Sequence, residues 1–295
     1  MLQINASIAK HQERVWCAYR TTHLYPEPFW HYDSKSLLVE LNDNLEPISS
    51  TPLQAENKNT AFEDIRLFSF KDKLLAFYHY LPRVEEKRWD IIYAIGFGEV
   101  DLVSGMIKNQ TSLRQLSKRP HEKNWTPYVY NDELFMVTDF DPFLRVIKID
   151  TTVDKLSMEE VYMSDQKTKS WEFGEIRGGT PLMCQPGTED GWLYGFVHSF
   201  RAKEHGFGRY YYYTIVKYNH ILKQFEYHPK PLPYLDEDPD EDYEMLWRYS
   251  NRKNSKVIFP MGIAHADDGV IVSFGKDDVI SFTEYFSWDR IKKLF

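Results

Sequence analysis

Two cysteines in 295 residues are too few for a disulfide framework, and Cys17 and Cys184 have neither CxxC nor metal-ligand spacing. They read as small buried residues, with a single disulfide left open. No stretch approaches the roughly 20 apolar residues of a membrane-spanning helix. The opening residues Met1-Leu2-Gln3-Ile4-Asn5 lack the basic-then-apolar order of a secretory signal. No membrane span is therefore expected, and cytoplasmic residence is the default. Basic charge is also short: 36 Lys and Arg stand against 44 Asp and Glu, a net charge of −8. Binding a phosphate backbone needs clustered Lys and Arg, so a nucleic acid polymer is not an expected partner. The densest charge run, Asp236-Glu237-Asp238-Pro239-Asp240-Glu241-Asp242, is acidic and reads as a solvated loop, with a metal site made by its adjacent carboxylates as the alternative. No cage of metal-ligating side chains is evident, and neither a metal nor another cofactor is expected. Helical periodicity is scarce, with Asp289 to Phe295 accounting for one or two turns.

The chain is instead rich in aromatic residues, at 16%, and in short strand-like runs. Arg14 to Tyr19, Ser36 to Leu41, Ile65 to Phe70, Lys73 to Tyr80 and Ile91 to Phe97 begin the series. Thr126 to Tyr130, Leu134 to Asp139, Arg145 to Asp150, Thr180 to Gln185 and Gly191 to Ser199 continue it. Arg209 to Asn219, Lys256 to Ala264, Val270 to Phe274 and Val279 to Phe286 follow. Turn signals every eight to twelve residues or so indicate a sandwich, barrel or propeller.

Four segments repeat one design, a polar or glycine-rich cluster before an apolar strand. They are Phe62-Glu63-Asp64-Ile65-Arg66, Glu122-Lys123-Asn124-Trp125-Thr126-Pro127, Glu175-Ile176-Arg177-Gly178-Gly179-Thr180-Pro181 and Val257-Ile258-Phe259-Pro260-Met261-Gly262. Their spacings of about 60, 54 and 82 residues are near that of one four-stranded blade with loop insertions. With strands before the first cluster and a tail after the last, about five blades fit. An all-β, five-bladed β-propeller forming one domain over residues 1–295 is the expectation, with a large β-sandwich as its competitor.

Charged residues at matching places in successive sheets converge on a common axis. In Glu63-Asp64-Ile65-Arg66, strand alternation sends Asp64 and Arg66 to one face. An acid and an anion-binding fork then share a position flanked by Phe62, Leu67 and Phe68, where Asp64 can act as a general acid. The plainer alternative is a surface ion pair. Lys123 and Asn124 beside Trp125 suit a sugar, whose hydroxyls take the polar groups while its C–H face packs on the indole; a turn with a core Trp is the alternative. Asp139 ends a strand, and Asp141-Pro142 is an ordinary turn signal. Gly178-Gly179 lets the backbone approach a ligand closely, and Arg177 can hold a phosphate or carboxylate bidentately. No Walker loop is present, since its lysine and helix are missing. His198 ends an apolar strand one hairpin later. A lone His is more often structural, yet here it can join Arg177 in an anion site. Asn5-Ala6-Ser7 fits a glycosylation triplet of a kind common by chance.

In their order, these clusters resemble glycoside hydrolase family 130, the mannoside phosphorylases and their relatives. That family carries Glu-Asp-Pro-Arg in an early blade and a Lys-containing segment in the next. A Gly-rich-Pro-Pro-Ile segment and a strand ending Tyr-His-Gly follow, then a late Val-Phe-Pro-x-Gly and a Tyr-Gly-Ala-Ala-Asp turn. The counterparts here are Glu63-Asp64-Ile65-Arg66, Lys123-Asn124, Gly178-Gly179-Thr180-Pro181-Leu182, Phe196-Val197-His198-Ser199, Ile258-Phe259-Pro260-Met261-Gly262 and Phe274-Gly275-Lys276-Asp277-Asp278. The resemblance implies a five-bladed propeller with its site at the axial mouth. Asp64 would be the general acid, Arg66 would help bind substrate, Arg177 and His198 would form the anion pocket, and Asp278 would contact sugar hydroxyls. It also implies an oligosaccharide or sugar acceptor and either inorganic phosphate or a sugar nucleotide as partners, for a phosphorylase or a glycosyltransferase respectively. A non-catalytic sugar-binding propeller is the further alternative. Ile65 in place of the proline, Trp125 after Asn124, and a single proline at Pro181 mark a divergent relative.

Overall fold

The computed structural model describes residues 2–22, 35–56, 60–82, 94–113, 124–151, 157–202, 209–233, 256–277 and 279–295. Among these residues the chain is almost wholly β, and consecutive strands pair antiparallel in five runs. The first run is β1 (Leu2–His11), β2 (Arg14–Thr22), β3 (Lys35–Leu41) and β4 (Pro47–Ala55). The second is β5 (Thr60–Phe70), β6 (Lys73–Pro82), β7 (Ala94–Val100) and β8 (Met106–Ser112). The third is β9 (Thr126–Tyr130), β10 (Glu133–Asp139), β11 (Arg145–Asp150) and β12 (Ser157–Met163). The fourth is β13 (Glu175–Arg177), β14 (Trp192–Ala202), β15 (Arg209–Asn219) and β16 (Gln224–Tyr227). The fifth is β17 (Lys256–Ala266), β18 (Gly269–Lys276) and β19 (Ile280–Ser287), after which comes a short helix, α1 (Trp288–Lys292). Ser287 caps α1 by accepting from the Arg290 amide.

Most of these strands are buried on both faces, so they read as apolar runs rather than as strict alternations. In β6, Leu74, Ala76 and Tyr78 enter one core with residues of the first run, while Leu75 and Phe77 enter another with residues of the third. In β14, Leu193 and Val197 meet the third run, whereas Tyr194 and Phe196 meet the fifth. Each fully buried side chain of this size contributes about 1.5–3 kcal/mol of apolar burial. A further core joins Ile8, Cys17 and Val39 of the first run to Ala264 of the fifth. Each run thus shares an apolar core with the next, and the fifth shares one with the first.

Cys17 and Cys184 are both free; Cys17 is buried, which pushes its thiol up to about 12, whereas Cys184, against expectation, is exposed. The expected strand over Thr180 to Gln185 shrinks to a bridge between Met183 and Tyr194. Pro181 and Pro186 bracket that segment and have no N–H to give a ladder. No helix among the described residues is long and apolar enough to cross a membrane. Lys123, Asp278 and the acidic run at 236–242 lie outside the described residues.

Candidate active site

The site is built on irregularities in the leading strands. Register shifts fall between Ile4 and Ser7 in β1, between Glu63 and Arg66 in β5, and between Pro260 and Gly262 in β17. Asn5, Asp64 and Asn124 each take a left-handed backbone, with φ of 54°, 50° and 62°. Asn and Asp tolerate that region best among residues with a Cβ. An extra residue in one strand bends it and redirects its side chains. In this way the β1 and β5 bulges present Asn5 and Asp64 to neighbouring runs.

Asp64 emerges from the β5 bulge. Its Oδ1 accepts from Asn5 Nδ2 at 2.8 Å, and its Oδ2 lies 3.4 Å from His79 Nδ1. Its side chain remains 17% exposed, within reach of solvent. Beside it, Glu63 forms an ion pair with Arg20 of β2 at 2.8 Å, both side chains being largely buried.

Arg66 departs from expectation. The bulge breaks the alternation that would put it beside Asp64, and its guanidinium turns into the interior, where the residue is 2% exposed. Nε donates to the Gly179 carbonyl at 2.7 Å, and Nη2 donates to Asn124 Oδ1 at 3.0 Å. Nη1 reaches the Asp64 carbonyl at 3.4 Å, and the planar group sits 5.3 Å from the centroid of Phe259. Burial pulls this guanidinium down to about 10, with Asp64 opposing, so it is charged at neutral pH. All three nitrogens are engaged by the chain itself. Arg66 is a tie joining the second, third and fourth runs, not a fork open to substrate.

The glycine pair has a related role. A Cβ on Gly178 would sit 1.9 Å from the Asn124 carbonyl, and one on Gly179 would sit 2.3 Å from that of Phe196. The close approach predicted for these glycines is made by the chain's own backbone. Replacing Gly178 by alanine is expected to cost about 3 kcal/mol, since the leading end of β9 must move. Urea unfolding monitored by tryptophan fluorescence measures it, and an unchanged midpoint would refute the tight contact.

His198 and Arg177 are directly opposed across β13 and β14. His198 is 2% exposed, edge-on to Phe259 at 4.5 Å and near Tyr211 at 5.6 Å. Burial, then the charges of Arg66 and Arg177, hold its imidazole well below the usual range despite a hydrogen bond to the Gly178 backbone. It is therefore neutral at pH 7. Arg177 is half exposed, paired with Glu175 at 3.2 Å and lying over Phe200. Asp64, Arg66, Asn124 and His198 thus gather in one place, with Arg177 at its rim. Asp139 stands on the second strand of its run, opposite Arg145. Of that pair of carboxylates, Asp141 is the one that meets the Glu175–Arg177 strand, accepting from the Ile176 amide. Among the described residues, no group of three His, Cys, Asp or Glu side chains is arranged to hold a metal ion.

No protein-family model matches the chain, and no curated protein matches it in sequence. Solved structures do. One from the glycoside hydrolase family 130 of mannoside phosphorylases, which contains hydrolases that target β-1,2-mannosidic linkages in Candida mannan, matches with a TM-score of 0.64 and 12% identity. That match covers 98% of this chain and 85% of the other. The fold is that of glycoside hydrolase family 130. A β-1,2-mannobiose phosphorylase from Listeria innocua matches over 100% of this chain and 92% of its own, with a TM-score of 0.56 and 12% identity. A GDP-mannose-dependent mannosyltransferase from Leishmania mexicana matches over 97% and 85%, with a TM-score of 0.61 and 12% identity.

Within this family 130 fold, the two side chains that approach the Asp64 carboxyl, Asn5 and His79, were not among the sequence candidates. Asn5 lay inside a chance glycosylation triplet, yet it is buried and bonded to the acid. Its signal was position: a polar residue early in a strand, as at Asp64 and Asn124. His79 stood between two tyrosines in an apolar run, and sequence alone offered no sign of its partner.

Proposed function

We propose that the five antiparallel runs are blades of a single five-bladed propeller spanning residues 1–295. We further propose that it makes or breaks a glycosidic bond at the cluster around Asp64. The closed succession of shared cores supports the ring. The observation that carries the function is the carboxyl of Asp64, held by a first-run residue, bordering solvent, beside groups drawn from the second, third and fourth runs. A general acid needs that combination of fixed orientation and access.

The preferred reaction is phosphorolysis with inversion, on a mannoside or similar hexoside. Asp64 gives its proton to the departing oxygen, directly or through a sugar hydroxyl, as the bond to the anomeric carbon breaks. Inorganic phosphate near Arg177 and His198 attacks from the opposite face, and its own proton is released as the new C–O bond forms. That proton restores Asp64. Lys123, Asn124, Asp139 and Asp278 remain candidates for holding the sugar, although Asn124 Oδ1 already accepts from Arg66 Nη2.

A glycosyltransferase is the second reading, favoured by one observation. With Arg66 fully engaged, the exposed guanidinium of Arg177 stands at the rim, where the extended diphosphate of a sugar nucleotide reaches further than free phosphate. Incubating the protein with mannose 1-phosphate and a panel of acceptor sugars tests the first reading; GDP-mannose with the same panel tests the second. Phosphate release with an inverted product is expected. GDP release alone selects the transferase, and neither product across the panel rejects both.

A further inference from the structure

His79 lies on β6, opposite Glu63 of β5 and Ile95 of β7. At 2% exposure it is the deeper member of its contact with Asp64, whose side chain is 17% exposed. Glu63 is ion-paired to Arg20, Arg66 is tied to Gly179 and Asn124, and His198 is near enough for the two imidazoles to interact electrostatically. Asp64 Oδ2, at 3.4 Å from Nδ1, is the carboxylate oxygen that faces the ring.

We propose that His79 is a positioning residue for Asp64. Its Nδ1–H holds Oδ2 while Asn5 Nδ2 holds Oδ1, so the carboxyl plane is fixed from both sides. Each oxygen keeps a second lone pair, on which the transferable proton sits. After that proton leaves, the same two donors stabilise the carboxylate that remains, and no proton leaves the imidazole. Contacts of this kind are often long without substrate and shorten when it binds. The inference rests on the reading of Asp64 as the general acid, and its test separates the two.

The test compares H79N, H79Q and H79L in the full chain, because an asparagine amide can take the place of Nδ1–H while a glutamine amide reaches the place of Nε2. On whichever donor the wild type turns over, H79N is expected to keep kcat within about threefold. H79Q and H79L should lose roughly 10- to 100-fold in kcat with KM moved less than about twofold. If H79L fails to fold, the contrast between H79N and H79Q still decides. Independently of turnover, 15N-histidine NMR should show His79 as the Nδ1–H tautomer, with a proton resonance that shifts in D64N. If no donor is turned over, the reading of Asp64 as an acid fails, while that D64N-sensitive signal still upholds the pairing. An Nε2–H tautomer indifferent to D64N, wild-type kcat in H79L, or equal losses in H79N and H79L would overturn the proposal.

Discussion

Replacing Arg66 by methionine is expected to lower the unfolding free energy by about 3–5 kcal/mol, the largest loss for any single polar side chain described above. Methionine keeps much of the stem and its contact with Phe259. It leaves the Gly179 carbonyl and Asn124 Oδ1 buried without their donor. Each orphaned acceptor costs about 1–3 kcal/mol. Lysine at this position should recover less than half of the loss, because a single ammonium cannot span two acceptors that a planar guanidinium serves together. Denaturant midpoints of the three proteins measure this directly. An R66M midpoint equal to wild type would mean the guanidinium is not the tie that its bonds imply.

Replacing Asp64 by asparagine should abolish turnover by about 10²–10⁴-fold while leaving the fold intact. The amide retains the size of the carboxyl and still presents an oxygen to Asn5. What it lacks is the transferable proton. Sugar affinity measured by calorimetry should stay within a few-fold of wild type, so the loss falls on kcat. This variant also separates an enzyme from a lectin-like binder, which would have no turnover to lose and would keep its affinity. Retained turnover in D64N would move the acid to another residue.

The central strands were legible because both of their faces are buried. The expected spans Thr126 to Tyr130, Arg145 to Asp150 and Arg209 to Asn219 coincide with β9, β11 and β15. Outer strands were not. β4, with the sequence Pro47-Ile48-Ser49-Ser50-Thr51, and β12, with Glu159 and Glu160 at its middle, are exposed along most of their length and carry little apolar pattern. β1 escaped for another reason. Its bulge at Ile4–Ser7 puts the alternation out of phase, so a ten-residue strand shows no clean period. The same device misled the reading of the site. Strict period-2 logic placed Arg66 beside Asp64, whereas a one-residue insertion sends the guanidinium inward. Residue types and their order located Asp64, Arg66, Asn124 and His198 near one another. Which of them faces substrate depended on backbone irregularities that side-chain chemistry does not announce.

Ser7 of β1 donates to the Met261 carbonyl across 254 residues of chain, and the Ala6 amide donates to Ser281 across 275. During synthesis, the strand that steadies the acid therefore emerges long before β17 and β19, the strands that cover it. Until they arrive, Ile8 lacks the Ala264 side of its core and the Ala6 amide lacks its Ser281 partner. Completion of the packing around β1 is thus among the latest events in the maturation of a nascent chain, and the long loop closures involved make it slow.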